Sequence, residues 1–207
     1  MGDLDHCCEC EMEEEEGHSL LQGKNLFLFG EITPDSTGQF IADFKQADSS
    51  PGAITINICC PGGWVEGGMC MYDMIRASNN QVVTVGCGAV YSAAVLPFEA
   101  GDVRIMYKSA RMLLHDMSMN LGEIKLDAIK NVAKETGRIY DLSLQYLAKR
   151  SGTSIKLLNE LCQADTFLSS LEALKLNLVD DVIKDNPNKV GELKLEKLSK
   201  KNKKGIK

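Results

Sequence analysis

The sequence predicts an α/β fold built on a largely parallel sheet, and three observations carry that reading. Apolar, β-branched segments alternate with segments of helical periodicity from residue 26 to residue 108. Glycine and proline mark the changeovers, at Thr33-Pro34, Pro61-Gly62-Gly63, Gly86 and Gly88. Strands separated by helices need crossover connections, and these favour parallel neighbours. No internal repeat interrupts the pattern.

Leu26–Phe29 is a short apolar run ending at Gly30 and reads as a strand. Thr33 is placed to cap a helix that has Pro34 at its first position, where a missing N–H costs nothing. That helix should reach about Ala47, with Phe40, Ile41 and Phe44 on its inner face. Ser49–Gly52 is a turn and Ala53–Cys59 a strand, which Pro61-Gly62-Gly63 breaks sharply. Val65 to Ala77 follows as a helix, with Val65, Met69, Tyr72 and Ile75 spaced for one buried face.

Gln81–Val85 is the next strand, closed by Gly86 and Gly88. Val90–Phe98 reads as a short apolar helix, and Val103–Met106 and Arg111–Leu114 as strands, the second delivering His115. From Ile124 to Arg150 runs the longest periodic segment, with Leu126, Ile129, Val132, Ile139, Leu144 and Leu147 near helical spacing. Gly137 sits inside it, at a cost of about 1 kcal/mol relative to alanine. The segment is long for a small domain, so part of it is expected to leave the body and pack on another subunit. Gly152 ends it, and Thr153 is placed to cap a shorter helix through Leu161. Ser169-Ser170-Leu171-Glu172 has capping-box spacing and opens a last short helix, and Leu178–Ile183 closes the fold as a strand.

The 207 residues suit one domain with short tails: an acidic tail over 1–18, a body over 19–184 and a basic tail over 185–207. Residues 1–18 carry eight acids and no Lys or Arg, and residues 184–207 carry nine Lys against three acids, within a net charge of −6. No large basic field lies outside the C-terminal tail, so nucleic-acid binding is not expected. The apolar runs fall short of a membrane span, and the acidic start lacks a signal peptide's basic region and apolar stretch. A cytoplasmic location is the expectation. In a reducing compartment the scattered cysteines, Cys59, Cys60, Cys70, Cys87 and Cys162 among them, read as small buried apolar groups. His6, Cys7, Cys8, Cys10 and His18 offer soft-metal donors, but their spacing does not match a structural zinc site. Neither metal nor cofactor is expected.

Of three histidines, His115 alone lies in the folded part, at a strand end of the kind that presents functional groups. Ser92 lies in Gly88-Ala89-Val90-Tyr91-Ser92-Ala93-Ala94, between strand and helix. Small neighbours leave room for a substrate backbone, and a helix N-terminus supplies free N–H donors. The loop at Pro61-Gly62-Gly63-Trp64 exposes backbone amides, but without a lysine it is no phosphate-cradling loop. Taken singly, these readings compete with a structural histidine, a helix-capping serine and a tight turn.

Together they resemble the Clp protease proteolytic subunit (ClpP) family and its phage-encoded relatives, from Leu20 to about Ile183. Ser19-Leu20-Leu21 with Leu26 to Ile32 looks like the family's first strand and its approach. Pro61-Gly62-Gly63 with Gly68-Met69 and Tyr72-Asp73 resembles its Gly-rich loop and following helix. Gly88 to Ala94 matches the nucleophile segment, Arg111 to His115 the histidine strand, and Asp165 to Ser169 with Glu172-Ala173 and Leu178-Val179-Asp180 the acid segment. The resemblance implies the ClpP/crotonase-like fold, and a serine endopeptidase acting on peptides and unfolded proteins. Ser92 is then the nucleophile, His115 the base and Asp165 its orienting acid, with the amides of Gly63 and Ala93 forming the oxyanion hole. Substrate would lie along Met117–Gly122 as an added strand, touching Gly62, Met117 and Met119. The segment from about 117 to 150 corresponds to the family's handle. Heptameric rings stacked into a tetradecamer, and an AAA+ ATPase partner, are implied with it.

The sequence departs from the family pattern at several positions. Thr55 and Asn57 stand where tyrosines help form the ATPase pocket, Cys59-Cys60 where Asn-Ser is usual, and Ala164 where an arginine contacts the other ring. Alternatives therefore stay in view: a phage capsid-maturation protease without an ATPase, a catalytically silent subunit of a mixed ring, or a crotonase-like enzyme acting on acyl thioesters.

Overall fold

In the computed structural model, which describes residues 19–22, 24–118 and 125–183, the alternation becomes an eight-stranded mixed sheet. Strands β1 (Ser19–Gln22), β2 (Asn25–Phe29), β3 (Ile54–Cys60), β4 (Val82–Tyr91), β5 (Val103–Tyr107) and β8 (Asp181–Ile183) lie side by side in the order 1-2-3-4-5-8. From β2 to β8 the neighbours are parallel, while β1 is antiparallel to β2. Two further strands form a branch: β6 (Arg111–Leu114) runs parallel to the outer end of β4, and β7 (Thr166–Ser169) runs antiparallel to β6.

Side-chain alternation explains the layers. Ile54, Ile56, Ile58 and Cys60 of β3 point to one face and are fully buried. They share a core with Phe40 and Phe44 of α1 (Pro34–Asp48) and with Met71 and Ile75 of α2 (Val65–Ala77). The opposite face carries a smaller cluster of Val85, Val103, Ile105 and Ile183. Thr33 caps α1 through a capping box, with Pro34 in the first turn as expected. The chain continues through α3 (Val95–Ala100), α4 (Leu126–Ser151), α5 (Ile155–Gln163) and α6 (Ser170–Lys175), the last opened by the Ser169–Glu172 capping box.

Several boundaries differ from the sequence reading for identifiable reasons. The strand expected to close at Gly86 and Gly88 instead runs on to Tyr91. Gly88, at φ 104°, accommodates a register shift between the pairs Ile58–Gly86 and Cys60–Val90. The helix expected from Val90 starts only after that strand, as a single 3₁₀ turn over Ser92–Ala94. Ser154, not Thr153, caps α5, because the Thr153 hydroxyl donates to the Leu176 carbonyl at 2.6 Å. The last strand shortens to Asp181–Ile183, with Leu178 and Val179 buried ahead of it. Four-residue β7 lacks enough length for alternation to reveal it. Of the cysteines read as core, Cys60 and Cys162 are buried, whereas Cys59, Cys70 and Cys87 are half-buried.

A buried ionic cluster ties α3 to β5 and the approach to β8. Arg104 contacts Glu99 at 2.5 Å and Asp180 at 3.0 Å, and Asp180 also accepts from the Arg104 backbone N–H. Glu99 is fully buried, and its second oxygen has no hydrogen-bond partner among the described residues. Burial pushes its carboxyl up to about 8, against the pull of Arg104. No helix among the described residues is long and apolar enough to cross a membrane.

Candidate active site

The branch β4–β6–β7 gathers the candidate residues at one end of the sheet. Tyr91 pairs with Leu113 across the parallel β4–β6 ladder, so Ser92 leaves β4 beside Leu114 and His115. Leu114 pairs with Thr166 at the end of the antiparallel β6–β7 ladder, so His115 follows β6 and Asp165 precedes β7 at the same end of the sheet. Three segments far apart in sequence thus end side by side.

Ser92 sits in the left-handed region at φ 56°, which costs a non-glycine residue about 1–2 kcal/mol. The turn is held because Ala93, Ala94, Val95 and Leu96 behind it are buried. Two glycines make room for it. A Cβ on Gly62 would lie 2.7 Å from the Ser92 Cβ, and one on Gly68 would lie 2.7 Å from the Ala93 carbonyl oxygen. The strained turn and its flanking glycines hold the serine at a fixed, half-buried position.

The glycine loop is anchored to the segment after β2. Ile32 donates to the Gly62 carbonyl at 2.7 Å, and Trp64 donates to the Ile32 carbonyl at 2.8 Å. Gly62 and Gly63 have φ values of 101° and 131°, which only glycine adopts without strain. The residues flanking Gly63 are thereby bonded to Ile32, and among the described residues the Gly63 N–H has no acceptor. Ala93 is second in its 3₁₀ turn, ahead of the first intrahelical donor. Both amides are available to an outside acceptor.

Asp165 also has a positive φ, 45°, and its N–H donates to the Cys162 carbonyl at 3.1 Å. It is exposed, while His115 is half-buried. Among the described residues no hydrogen bond links the side chains of Ser92, His115 and Asp165.

A cleft of about 330 Å³ opens at this point, with Gly63, Ser92, Ala93, His115 and Met117 in its walls. Asp165 lies outside that lining, and Met119 lies outside the described residues, as do His6, Cys7, Cys8, Cys10 and His18. Sequence reasoning missed the far wall. Thr136, Tyr140 and Ser143 of α4 line the cleft with Leu144 and Leu147. Their spacing of four and three residues was the available signal, a hydroxyl-bearing stripe on one helical face. Ser143 turns its hydroxyl onto the Ile139 carbonyl at 2.9 Å, and Tyr140 donates to Asn159 at 3.0 Å. Burial, with Cys162 and Asp116 nearby, pushes the Tyr140 phenol up, so it stays protonated at neutral pH. Among the described residues the pocket is mostly apolar, with Glu66 and Asp116 as its acids and no Lys or Arg in its lining.

Comparison with known proteins gives a consistent result. The family model described as Clp protease matches residues 11–186. The ATP-dependent Clp protease proteolytic subunit 2 of Thermobifida fusca is 24% identical over 184 residues, covering 87% of this chain and 90% of that protein. Proteolytic subunit 3 of Synechococcus sp. is 28% identical over 162 residues, covering 76% and 81%. Among solved structures, a ClpP1 mutant from Listeria monocytogenes superposes with a TM-score of 0.72 at 26% identity, covering 79% of this chain and 93% of that one.

Proposed function

The chain belongs to the Clp protease family, and from that premise we propose that it is a serine endopeptidase cutting peptides and unfolded proteins through Ser92, His115 and Asp165. The observation that carries this reading is the convergence of the three segments at the ends of β4 and β6 and the start of β7.

Ser92 Oγ attacks the scissile carbonyl as His115 accepts its proton, giving a tetrahedral intermediate. The N–H groups of Gly63 and Ala93 stabilise the oxyanion, each worth about 3–4 kcal/mol in comparable hydrolases. His115 then protonates the leaving amine, and water releases the acyl group from Ser92 by the same route. Asp165 holds the imidazole in the required tautomer and stabilises its cation. The rise of charge on His115 draws the three side chains into hydrogen-bonding contact in the reacting complex. Peptide lies along Met117–Gly122 as an added strand, with Gly62, Met117 and Met119 beside it.

Assembly into stacked heptameric rings would enclose these sites in a chamber. Exposed Phe167, Leu171, Ile155 and Leu157 support association, since large apolar groups gain from burial. The relatives are proteolytic subunits of ATP-dependent Clp proteases, which supports an ATPase, of the AAA+ class expected from the resemblance, as partner. The polar Thr55 and Asn57, half-buried on β3, favour a second reading in which the chamber works without one, as in phage capsid maturation.

The test is labelling of the purified protein with a fluorophosphonate, mapped by mass spectrometry, with Ser92→Ala as control. An adduct on Ser92, and cleavage of fluorogenic peptides that the variant lacks, are expected. An unlabelled protein inert on peptides would be a silent ring subunit. Acyl-thioester turnover surviving Ser92→Ala would point to crotonase-like chemistry. Native mass spectrometry reads the ring size.

A further inference from the structure

Within the register shift of the β3–β4 ladder stand two thiols. The regular pairing stops at Ile58–Gly86 and resumes at Cys60–Val90, so Cys59 and Cys87, each one residue past the last regular pair, stand beside one another in the irregular stretch. Each sulfur reaches over the other's strand. Cys87 Sγ lies 3.4 Å from the Ile58 carbonyl oxygen, and Cys59 Sγ lies 2.8 Å from where a Gly88 Cβ would be. Parallel strands run about 4.8 Å apart, within the span of about 4.4–6.8 Å that a disulfide bridges between Cα atoms. Both residues are half-buried and open to a small reagent. Cys60 differs: it is buried on the other face, with its sulfur accepting the Gly62 N–H at 3.3 Å.

We propose that Cys59 and Cys87 form a reversible intrachain disulfide that sets the reactivity of Ser92. The oxidant class is a low-molecular-weight disulfide such as glutathione disulfide. The Cys59 thiolate attacks one of its sulfurs, forming a mixed disulfide and releasing one glutathione thiolate. Burial pushes the Cys87 thiol up to about 11, which disfavours it as the first attacker and leaves it the intramolecular step, where proximity offsets its small thiolate fraction. Cys87 then displaces the second glutathione. Two protein thiols are oxidised, one glutathione disulfide is reduced to two glutathiones, and a dithiol reverses the exchange.

The position gives the bond its consequence. From Cys59 the chain leads within four residues to Gly63, and from Cys87 within five to Ser92. Gly88, at φ 104°, lies between that root and the length of β4, from Ala89 to Tyr91, that pairs with β6 and leads into the serine turn. A bond at the root of both segments draws the shifted part of β4 toward β3 and displaces Ser92 relative to the Gly63 amide. This second part rests on the serine-peptidase reading; the bond itself does not.

The experiment treats the full-length reduced protein with glutathione disulfide, maps disulfides by peptide mass spectrometry, and measures fluorophosphonate labelling at Ser92 before and after. Expected is a Cys59–Cys87 link, a chain about 2 Da lighter, and labelling slowed roughly threefold to tenfold, restored by dithiothreitol. Cys59→Ser and Cys87→Ser should each abolish the link and the slowing. Absence of the link, a link from either thiol to Cys7, Cys8 or Cys10 instead, or a link with unchanged labelling overturns the proposal. If the reduced protein does not label at all, the serine assignment fails, while the disulfide map still decides whether the thiol pair exchanges.

Discussion

Leu114 of β6 stands opposite Thr166 of β7 as the last pair of an antiparallel ladder, which brings the positions of His115 and Asp165 to the same end of the sheet. The proposed base and acid are therefore brought together by backbone pairing rather than by a local motif. Asp165→Asn keeps the shape and allows the wrong histidine tautomer. Its kcat should fall by roughly 10³–10⁴-fold with KM little changed, measured on a fluorogenic peptide.

Two glycine-to-alanine changes should act in opposite directions. At Gly62 the new methyl meets Ser92 Cβ at 2.7 Å and the Tyr91 carbonyl oxygen at 2.8 Å, at a φ of 101°. Gly62→Ala should lower stability by about 2 kcal/mol or more and abolish most hydrolysis. Gly137 has nothing within 4 Å and sits inside α4. Gly137→Ala should raise stability by roughly 1 kcal/mol with peptidase activity unchanged. Thermal melts of the two variants beside the parent check both signs.

The α4 wall should govern which side chains the cleft accepts. Ser143 is buried there with its hydroxyl turned onto its own helix. Ser143→Leu fills the space, so kcat/KM should drop about tenfold for peptides with a large apolar residue before the scissile bond, and much less for alanine. A small substrate panel distinguishes the two cases.

Glu99 predicts a pH dependence of stability. Its carboxyl, near 4.5 when unfolded, is pushed up to about 8 by burial, so the folded state holds the proton more tightly. Its contribution is complete below about 4.5 and is lost as pH rises through about 8. Asp180 works oppositely: its hydrogen bonds from Arg104 outweigh burial and lower its carboxyl, so its contribution is lost as pH falls through that lowered value. Glu99→Gln should flatten the decline between about pH 5 and 8, read from urea melts at several pH values.

Much of this was legible in the sequence because local signals and burial agreed. Thr33-Pro34 and Ser169–Glu172 fixed helix starts through hydrogen bonds made within four residues. The alternation in β3 and the periodicity of α2 each named a buried face. Failures came where the decisive partner is distant in sequence. Strand β4 passes Gly88 because β3 and β6 pair with it on either side, which nothing near residue 88 announces. Thr153 surrenders the cap of α5 because Leu176, 23 residues on, takes its hydroxyl. The α4 wall of the cleft was hidden for the same reason: its hydroxyls acquire a role only when Leu113 and His115 are laid against them.

The shift at Gly88 divides β4 into an inner length clamped between β3 and β5 and an outer length shared with β6. The outer length, with β6 and β7, forms a small outrigger to the main sheet, and it is there that the proposed reacting groups ride. Warming should slacken the outrigger first, so the proposed hydrolysis fades while the hull of the molecule is still intact.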